Sequence, residues 1–163
     1  MKKITLTQGQ VTLVDDDDFV RFGHLKWYAY WCPDTHSFYA VRNHPIGNGR
    51  RTTMRLHRVV MDMPLRVENG YIADHVNHNT LDNRKRNLRI CTKEQNSRNR
   101  STQSDNTSGV PGVSWCKREK RWIVRIALGS SRRYQVGRFI NKNDAIVARS
   151  AAVDKFYGEY GNL

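Results

Sequence analysis

The period of the hydrophobic positions changes several times along the chain, and each change marks an element. Ile4-Thr5-Leu6 and Val11-Thr12-Leu13-Val14 alternate or run apolar around a turn at Gly9, so the chain opens on short strands. Two aromatic strands follow, Trp27-Tyr28-Ala29-Tyr30-Trp31 and Phe38-Tyr39-Ala40-Val41, with Cys32–Ser37 between them. Arg50 and Arg51 start another strand that runs through Met54 and Leu56. Tyr71-Ile72-Ala73 is a short strand ending on Asp74-His75. Asn77, Asn79, Asp82 and Asn83 are turn-formers whose side chains bond nearby backbone, so a loop follows. Leu88 and Ile90 flank Arg89 in the alternation of a half-buried strand. Thr92 then starts a helix, with Gln95 completing a capping box. Asn96 falls in its first turn, where free N–H groups and the helix dipole favour a phosphate.

Residues 101–109, STQSDNTSG, are nearly free of apolar side chains and read as a linker. Beyond it, Gly112–Trp115, Trp122–Ile126 and Arg133–Phe139 read as three strands. Asn141 caps a helix with Asp144 at its third position, Ala145, Ala148, Ala152 and Phe156 share one face, and Gly158 ends it. The expected fold class is α+β. A small N-terminal β-sheet leads into a strand–strand–helix motif over 1–100, and a separate three-stranded sheet packs on one helix over 110–163.

Charge narrows the function. The chain carries 28 Lys and Arg against 15 Asp and Glu, a formal net charge of +13 over 163 residues, the electrostatic footprint of a polyanion binder. No long apolar run or amphipathic basic helix points to a membrane. The start MKKITLTQGQ lacks an apolar signal core, so a cytoplasmic protein is expected. Cys32, Cys91 and Cys116 are odd in number and widely spaced, which suits three reduced thiols and no disulfide frame. Asp15–Asp18 lacks a ligand spacing and reads as a solvated turn. Trp27 and Trp31 read as core of a small sheet in preference to a DNA-facing surface. Arg42, Arg50, Arg51 and Arg55 are better candidates for phosphate contact.

The chemistry concentrates between Asp74 and Arg100. An acid adjoins a histidine, an Asn/Asp-rich loop follows, and from Arg84 onward seven cations (Arg84, Lys85, Arg86, Arg89, Lys93, Arg98, Arg100) face the single Glu94. The hairpin can fold Asp74 and His75 back onto the helix start, bringing a carboxylate and an amide oxygen to one hard cation with the imidazole beside it. That combination suits phosphodiester cleavage. His57 reads as a buried, hydrogen-bonded residue, His78 as a loop residue without chemistry, and Asn83 as a brace of the loop. His75, His78 and Cys91 lack the fourth ligand and paired spacing of a zinc site.

Asp74-His75, Asn87-Leu88-Arg89 and Asn96 together resemble the strand–strand–helix metal site of HNH nucleases, most closely those of phage and intron-homing endonucleases. Leu56–Met61 (LHRVVM) resembles that family's lead-in helix. The resemblance implies that His75 activates the attacking water and that Asn87 fixes the loop and the orientation of His75. It implies that Asp74 and Asn96 hold one Mg²⁺, with Mn²⁺ as a possible substitute, and that products carry 5′-phosphate and 3′-hydroxyl ends. Ser108-Gly109, Gly112-Val113, Trp122, Val136-Gly137-Arg138-Phe139, Ala145 and Ala148 resemble the Apetala/ethylene-response-factor type DNA-binding domain. The chain departs from that pattern at Ser114 and at Arg149-Ser150, so base contacts do not carry over wholesale.

The expected function is metal-dependent hydrolysis of double-stranded DNA, with His75 and Asn87 catalytic and Asp74 and Asn96 on the metal. Arg51, Arg84, Lys85, Arg86, Arg89, Arg98 and Arg100 are expected on DNA, together with Trp115, Arg118, Trp122, Arg125, Arg132 and Arg133. The tryptophans serve equally well as core. A non-catalytic DNA-binding regulator and an RNA-binding protein are the rivals. A monomer is compatible with either reading.

Overall fold

A computed structural model of the chain describes residues 1–64, 70–99, 106–129 and 132–161. The chain divides into two compact units, Met1–Thr92 and Lys93–Leu163. The architecture is α+β in both. Among the described residues no helix is long and apolar enough to cross a membrane. Cys32, Cys91 and Cys116 are free thiols.

In the first unit, β1 (Lys2–Thr5) and β2 (Val11–Val14) pair antiparallel. Gly9 at φ 67° supplies the left-handed backbone of their turn. The acidic run that follows is not a solvated turn: Asp16–Phe22 forms a helix, α1. Asp16, Asp17 and Asp18 occupy its first turn, where the positive end of the helix dipole stabilises carboxylates. Asp18 is wholly buried, and Phe19 and Phe22 pack on the core. The run could not be read as helical because its apolar face is only these two rings.

Three strands, β3 (Tyr28–Cys32), β4 (Ser37–Gly47) and β5 (Arg50–Arg55), form an antiparallel sheet in that order, and α2 (Leu56–Val60) follows directly. Trp27 is core, with its Nε1 donating to the Phe22 carbonyl at 3.0 Å. Trp31 is not: it is 45% exposed and stacks edge-on against Phe38. Trp27 stands just before β3 and packs into the core, whereas Trp31, four positions on within the strand, is left at the surface. A last hairpin pairs β6 (Tyr71–His75) with β7 (Leu88–Thr92), and a 3₁₀ turn over Lys85–Asn87 leads into β7. Ile4, Leu6, Val14, Trp27, Ala29, Ala40, Leu56, Val60 and Leu88 make one buried cluster. Leu88 therefore ties the last hairpin to the N-terminal sheets.

The second unit begins with α3 (Lys93–Arg98), immediately after β7 in the chain. Strands β8 (Val113–Cys116), β9 (Arg121–Ala127) and β10 (Arg133–Phe139) form an antiparallel sheet in the order β10-β9-β8, followed by α4 (Lys142–Tyr157). Asn141 caps α4, accepting from the Asn143 N–H at 2.9 Å. The buried positions of α4 are Ala145, Arg149, Ala152, Val153 and Tyr157, one step round from the expected Ala148 and Phe156, which are half-buried. Of the expected linker, 101–105 lie outside the described residues.

Arg149 explains the shift of face. Its side chain is buried, lies over the Tyr157 ring at 5.5 Å and donates to the Arg125 carbonyl at 3.3 Å. Gly112, at φ 78°, leaves room for it: a Cβ there would stand 2.5 Å from the Arg125 carbonyl oxygen and 3.1 Å from the Arg149 guanidinium. Gly112→Ala is expected to destabilise the second unit by about 1–3 kcal/mol, from the left-handed backbone and the clash together. Denaturant unfolding of the full chain, followed through Trp115 and Trp122, measures this; an unchanged midpoint would contradict the packing.

Candidate active site

The β6–β7 hairpin sets Asp74 opposite Arg89 and His75 opposite Leu88. Alternation along β6 sends these two neighbours to opposite faces, so His75 is buried on the core side with Leu88. The loop between the strands is held by its own side chains. The Asn77 carboxamide oxygen accepts from the Asn79 N–H at 2.9 Å, and that of Asn79 accepts from the Leu81 N–H at 3.1 Å. Asn87 is buried and spans the loop: its oxygen accepts from the Asn77 N–H at 3.0 Å and its amide donates to the Asp82 carbonyl at 2.8 Å. Asp82 is buried against Arg84, with both carboxylate oxygens accepting at 2.6 Å. The Arg84 guanidinium beside it holds its carboxyl below the usual range.

His75 meets Asn83 directly, with its Nε2 3.1 Å from the Asn83 Oδ1. Asn83 in turn donates its amide to the Thr12 hydroxyl at 2.7 Å, and Thr12 donates to the Leu81 carbonyl at 2.8 Å. These residues belong to two segments joined edge to edge: the Leu13 N–H donates to the Leu81 carbonyl at 2.9 Å and the Asn83 N–H to the Leu13 carbonyl at 2.8 Å. On its other side His75 packs edge-on to His57, ring centroids 4.9 Å apart, and Tyr39 touches both rings. His57 is buried as expected, but its ring has packing partners and no hydrogen-bond partner among the described residues. Burial pushes both imidazoles below their ordinary value, and for His57 the nearby His75, Arg55 and Arg58 push further. A neutral ring is what a general base needs.

The cations expected on DNA divide into two groups. Arg84 is tied to Asp82, and Arg89 donates through Nε at 3.1 Å and Nη2 at 2.9 Å to Asp74. Lys85 pairs with Asp17 at 2.5 Å and Asp18 at 3.3 Å, and its backbone N–H donates to Asp15. The acidic first turn of α1 thus anchors the turn that precedes Asn87. Arg51 and Arg86 are exposed and make no ion pair among the described residues.

The second unit holds the remaining expected site residues. Asn96 lies on α3. Arg98 pairs with Glu94 at 3.4 Å and lies over the Tyr157 ring. Arg100 lies outside the described residues. Trp115 and Trp122 are cross-strand partners 5.2 Å apart, and Trp122 packs on the Val113, Val124 and Ala145 cluster, so this pair borders the helix-side core. Alternation places Arg125 and Arg133 on the opposite, open face of the sheet, with Arg121 and Arg138. Arg118 and Arg132 are exposed on the connecting turns.

Asp74 offers a carboxylate and Asn96, in the second unit, a carboxamide, each a hard oxygen donor of the kind a Mg²⁺-class cation takes in preference to a soft metal. Among the described residues no three His, Cys, Asp or Glu converge on a point that could hold an ion.

Residues 55–98 match the HNH endonuclease family. That HNH segment contains Asp74, His75, Asn87 and Asn96, and the match supports a nuclease of HNH type. Protein 3.8 of Escherichia phage T7 is 39% identical over 56 residues, 34% of this chain and 46% of that protein. An uncharacterized HNH endonuclease of Acanthamoeba polyphaga mimivirus is 40% identical over 63 residues, 37% of this chain and 33% of that protein. The match spans less than half the length of either relative. No solved structure matches the chain.

The bond from Asn83 to Thr12 was missed in the sequence because it joins positions 71 residues apart, and the bond from Asn83 to His75 was missed with it. The local signal gave Asn83 only as a loop brace.

The neutral buried rings carry a pH signature. Their folded pKa lies below the unfolded value, so the unfolded chain binds protons first as pH falls. Stability should be full above about pH 6.5 and lost as pH drops through the depressed values, approaching about 1.4 kcal/mol per pH unit for each ring held neutral. His57→Phe, which keeps an aromatic ring beside His75, should flatten that loss. Denaturation curves from neutral to mildly acid pH check this; equal acid sensitivity of the two proteins would refute it.

Proposed function

We propose that the chain is a metal-dependent endonuclease that hydrolyses phosphodiester bonds in duplex DNA, with His75 as general base. The observation that carries this reading is a buried imidazole, kept neutral by burial and held at Nε2 by a carboxamide, inside a segment that matches HNH endonucleases. A base so held keeps one fixed orientation toward water and is unprotonated at neutral pH.

Asn87 keeps the loop closed over this geometry by bonding Asn77 near its start and Asp82 at its middle. His75 takes the proton of the attacking water as the new bond to phosphorus forms. Asp74 would hold the divalent cation, with Arg89 fixing its carboxylate, and the resemblance adds Asn96 as the neutral oxygen ligand. When bound, the cation neutralises charge at the scissile phosphate and on the departing 3′-oxygen. Arg51 and Arg86 are the cations of the first unit best placed for phosphates, since Arg84, Lys85 and Arg89 brace the scaffold. The open face of the second unit's sheet, with Arg121, Arg125, Arg133 and Arg138, suits a DNA-docking module of the Apetala/ethylene-response-factor type.

His75→Ala should lower cleavage of duplex DNA by about 10² to 10⁴ while leaving DNA affinity unchanged, the usual worth of a positioned base. Asp74→Asn should raise the Mg²⁺ concentration at half-maximal rate and lower the rate itself. Cleavage assays and filter binding on the same substrates, with RNA of equal length alongside, decide it. Normal turnover by His75→Ala, or tighter binding and processing of RNA, would overturn the reading.

A further inference from the structure

We propose that Thr12, on the N-terminal hairpin, is a positioning residue that fixes, through Asn83, which ring nitrogen of His75 carries the proton. The inference rests on the reading of His75 as base. It concerns a hydrogen-bond chain with one end that cannot reverse.

That end is the Leu81 carbonyl, which only accepts. It accepts from the Leu13 N–H at 2.9 Å and from the Thr12 hydroxyl at 2.8 Å, using both of its lone pairs. A hydroxyl has a single proton, and Thr12 has given it to Leu81. Toward Asn83 it can therefore only accept. The carboxamide of Asn83 must then turn its NH₂ to Thr12, at 2.7 Å, and its oxygen to His75, at 3.1 Å. An oxygen acceptor at Nε2 requires a proton there. In a neutral imidazole the lone pair is then on Nδ1, and Nδ1 is the nitrogen that takes the proton of water.

Burial makes this a constraint. Thr12 is 0%, Asn83 1% and His75 5% exposed. Water cannot replace a partner that turns away, so a flipped carboxamide would face NH₂ against N–H and leave donors unpaired, at about 1–3 kcal/mol each. The parallel bridge between Leu13 and Asp82 holds the two segments in register. The N-terminal hairpin thereby reaches the reacting group without touching substrate.

The test reads the tautomer directly, by ¹⁵N NMR of the His75 ring in the full chain at a pH where the ring is neutral. Wild type and Thr12→Ser should show the proton on Nε2. Thr12→Val keeps the shape but removes the hydroxyl, so the carboxamide is free to flip and the ring should show Nδ1–H or a mixture. Its kcat on DNA should fall by about 10-fold or more, with DNA affinity unchanged, toward the range lost when a catalytic imidazole has the wrong tautomer. Adding Asn83→Asp to Thr12→Val should restore Nε2–H, because a carboxylate can only accept. A packing role for Thr12 gives no such rescue. An Nδ1–H ring in wild type, or an unchanged Nε2–H ring in folded Thr12→Val, overturns the proposal. A tautomer that follows Thr12 while cleavage stays constant leaves the relay standing and removes His75 as base.

Discussion

Everything at the candidate site depends on how the loop between β6 and β7 satisfies its polar atoms. A two-stranded hairpin is marginal by itself, and this one carries a long loop rich in Asn and Asp. Asp82, Asn83 and Asn87 are all buried, and each would destabilise the fold without partners. Their partners come from three places: the loop backbone, Arg84, and the edge of β2. The last is the decisive one, since it joins the first strands of the chain to the histidine. Leu88, buried in the main core opposite His75, supplies the apolar half of the same attachment.

Electrostatics follow the same division of labour. A chain of formal charge +13 has cations to spare, yet all but Arg86 of those in and beside the loop are tied to carboxylates. Arg84 on Asp82, Lys85 on Asp17 and Asp18, and Arg89 on Asp74 hold the loop, a turn and a strand in place. An exposed pair such as Lys85–Asp17 contributes little stability by itself, but three such cations tied around one loop, two of them in mostly buried pairs, restrict its geometry. The cations left exposed, such as Arg51 and Arg86 in the first unit and Arg125 and Arg133 in the second, are the ones free to answer a polyanion.

Much of this was legible in the residues. Period-2 alternation located β7, short apolar and aromatic runs located β6 and the three strands of the second unit, and Asn141 marked the start of α4. Asp74, His75, Asn87 and Asn96 stood out by type and offset. What escaped was set by tertiary contact. The Asp15–Asp18 run became a helix because Phe19 and Phe22 found the core. Trp27 and Trp31 parted because Trp27, just before β3, found the core and the Phe22 carbonyl, while Trp31 stayed at the surface. Arg149 entered the α4 packing because Gly112 made space for a guanidinium. Thr12 sits in an ordinary strand, and nothing near it in the sequence points to a histidine 63 positions on.

The central claim, hydrolysis of DNA by an imidazole-activated water with a divalent cation, is tested most directly by the chemistry of the breaks. Purified chain is incubated with long duplex DNA in Mg²⁺ or in EDTA, and the ends are sequenced and offered to a ligase. The account predicts breaks in Mg²⁺ alone, bearing 5′-phosphate and 3′-hydroxyl ends that the ligase reseals. Intact DNA in Mg²⁺, cutting that persists in EDTA, or 3′-phosphate ends would contradict it.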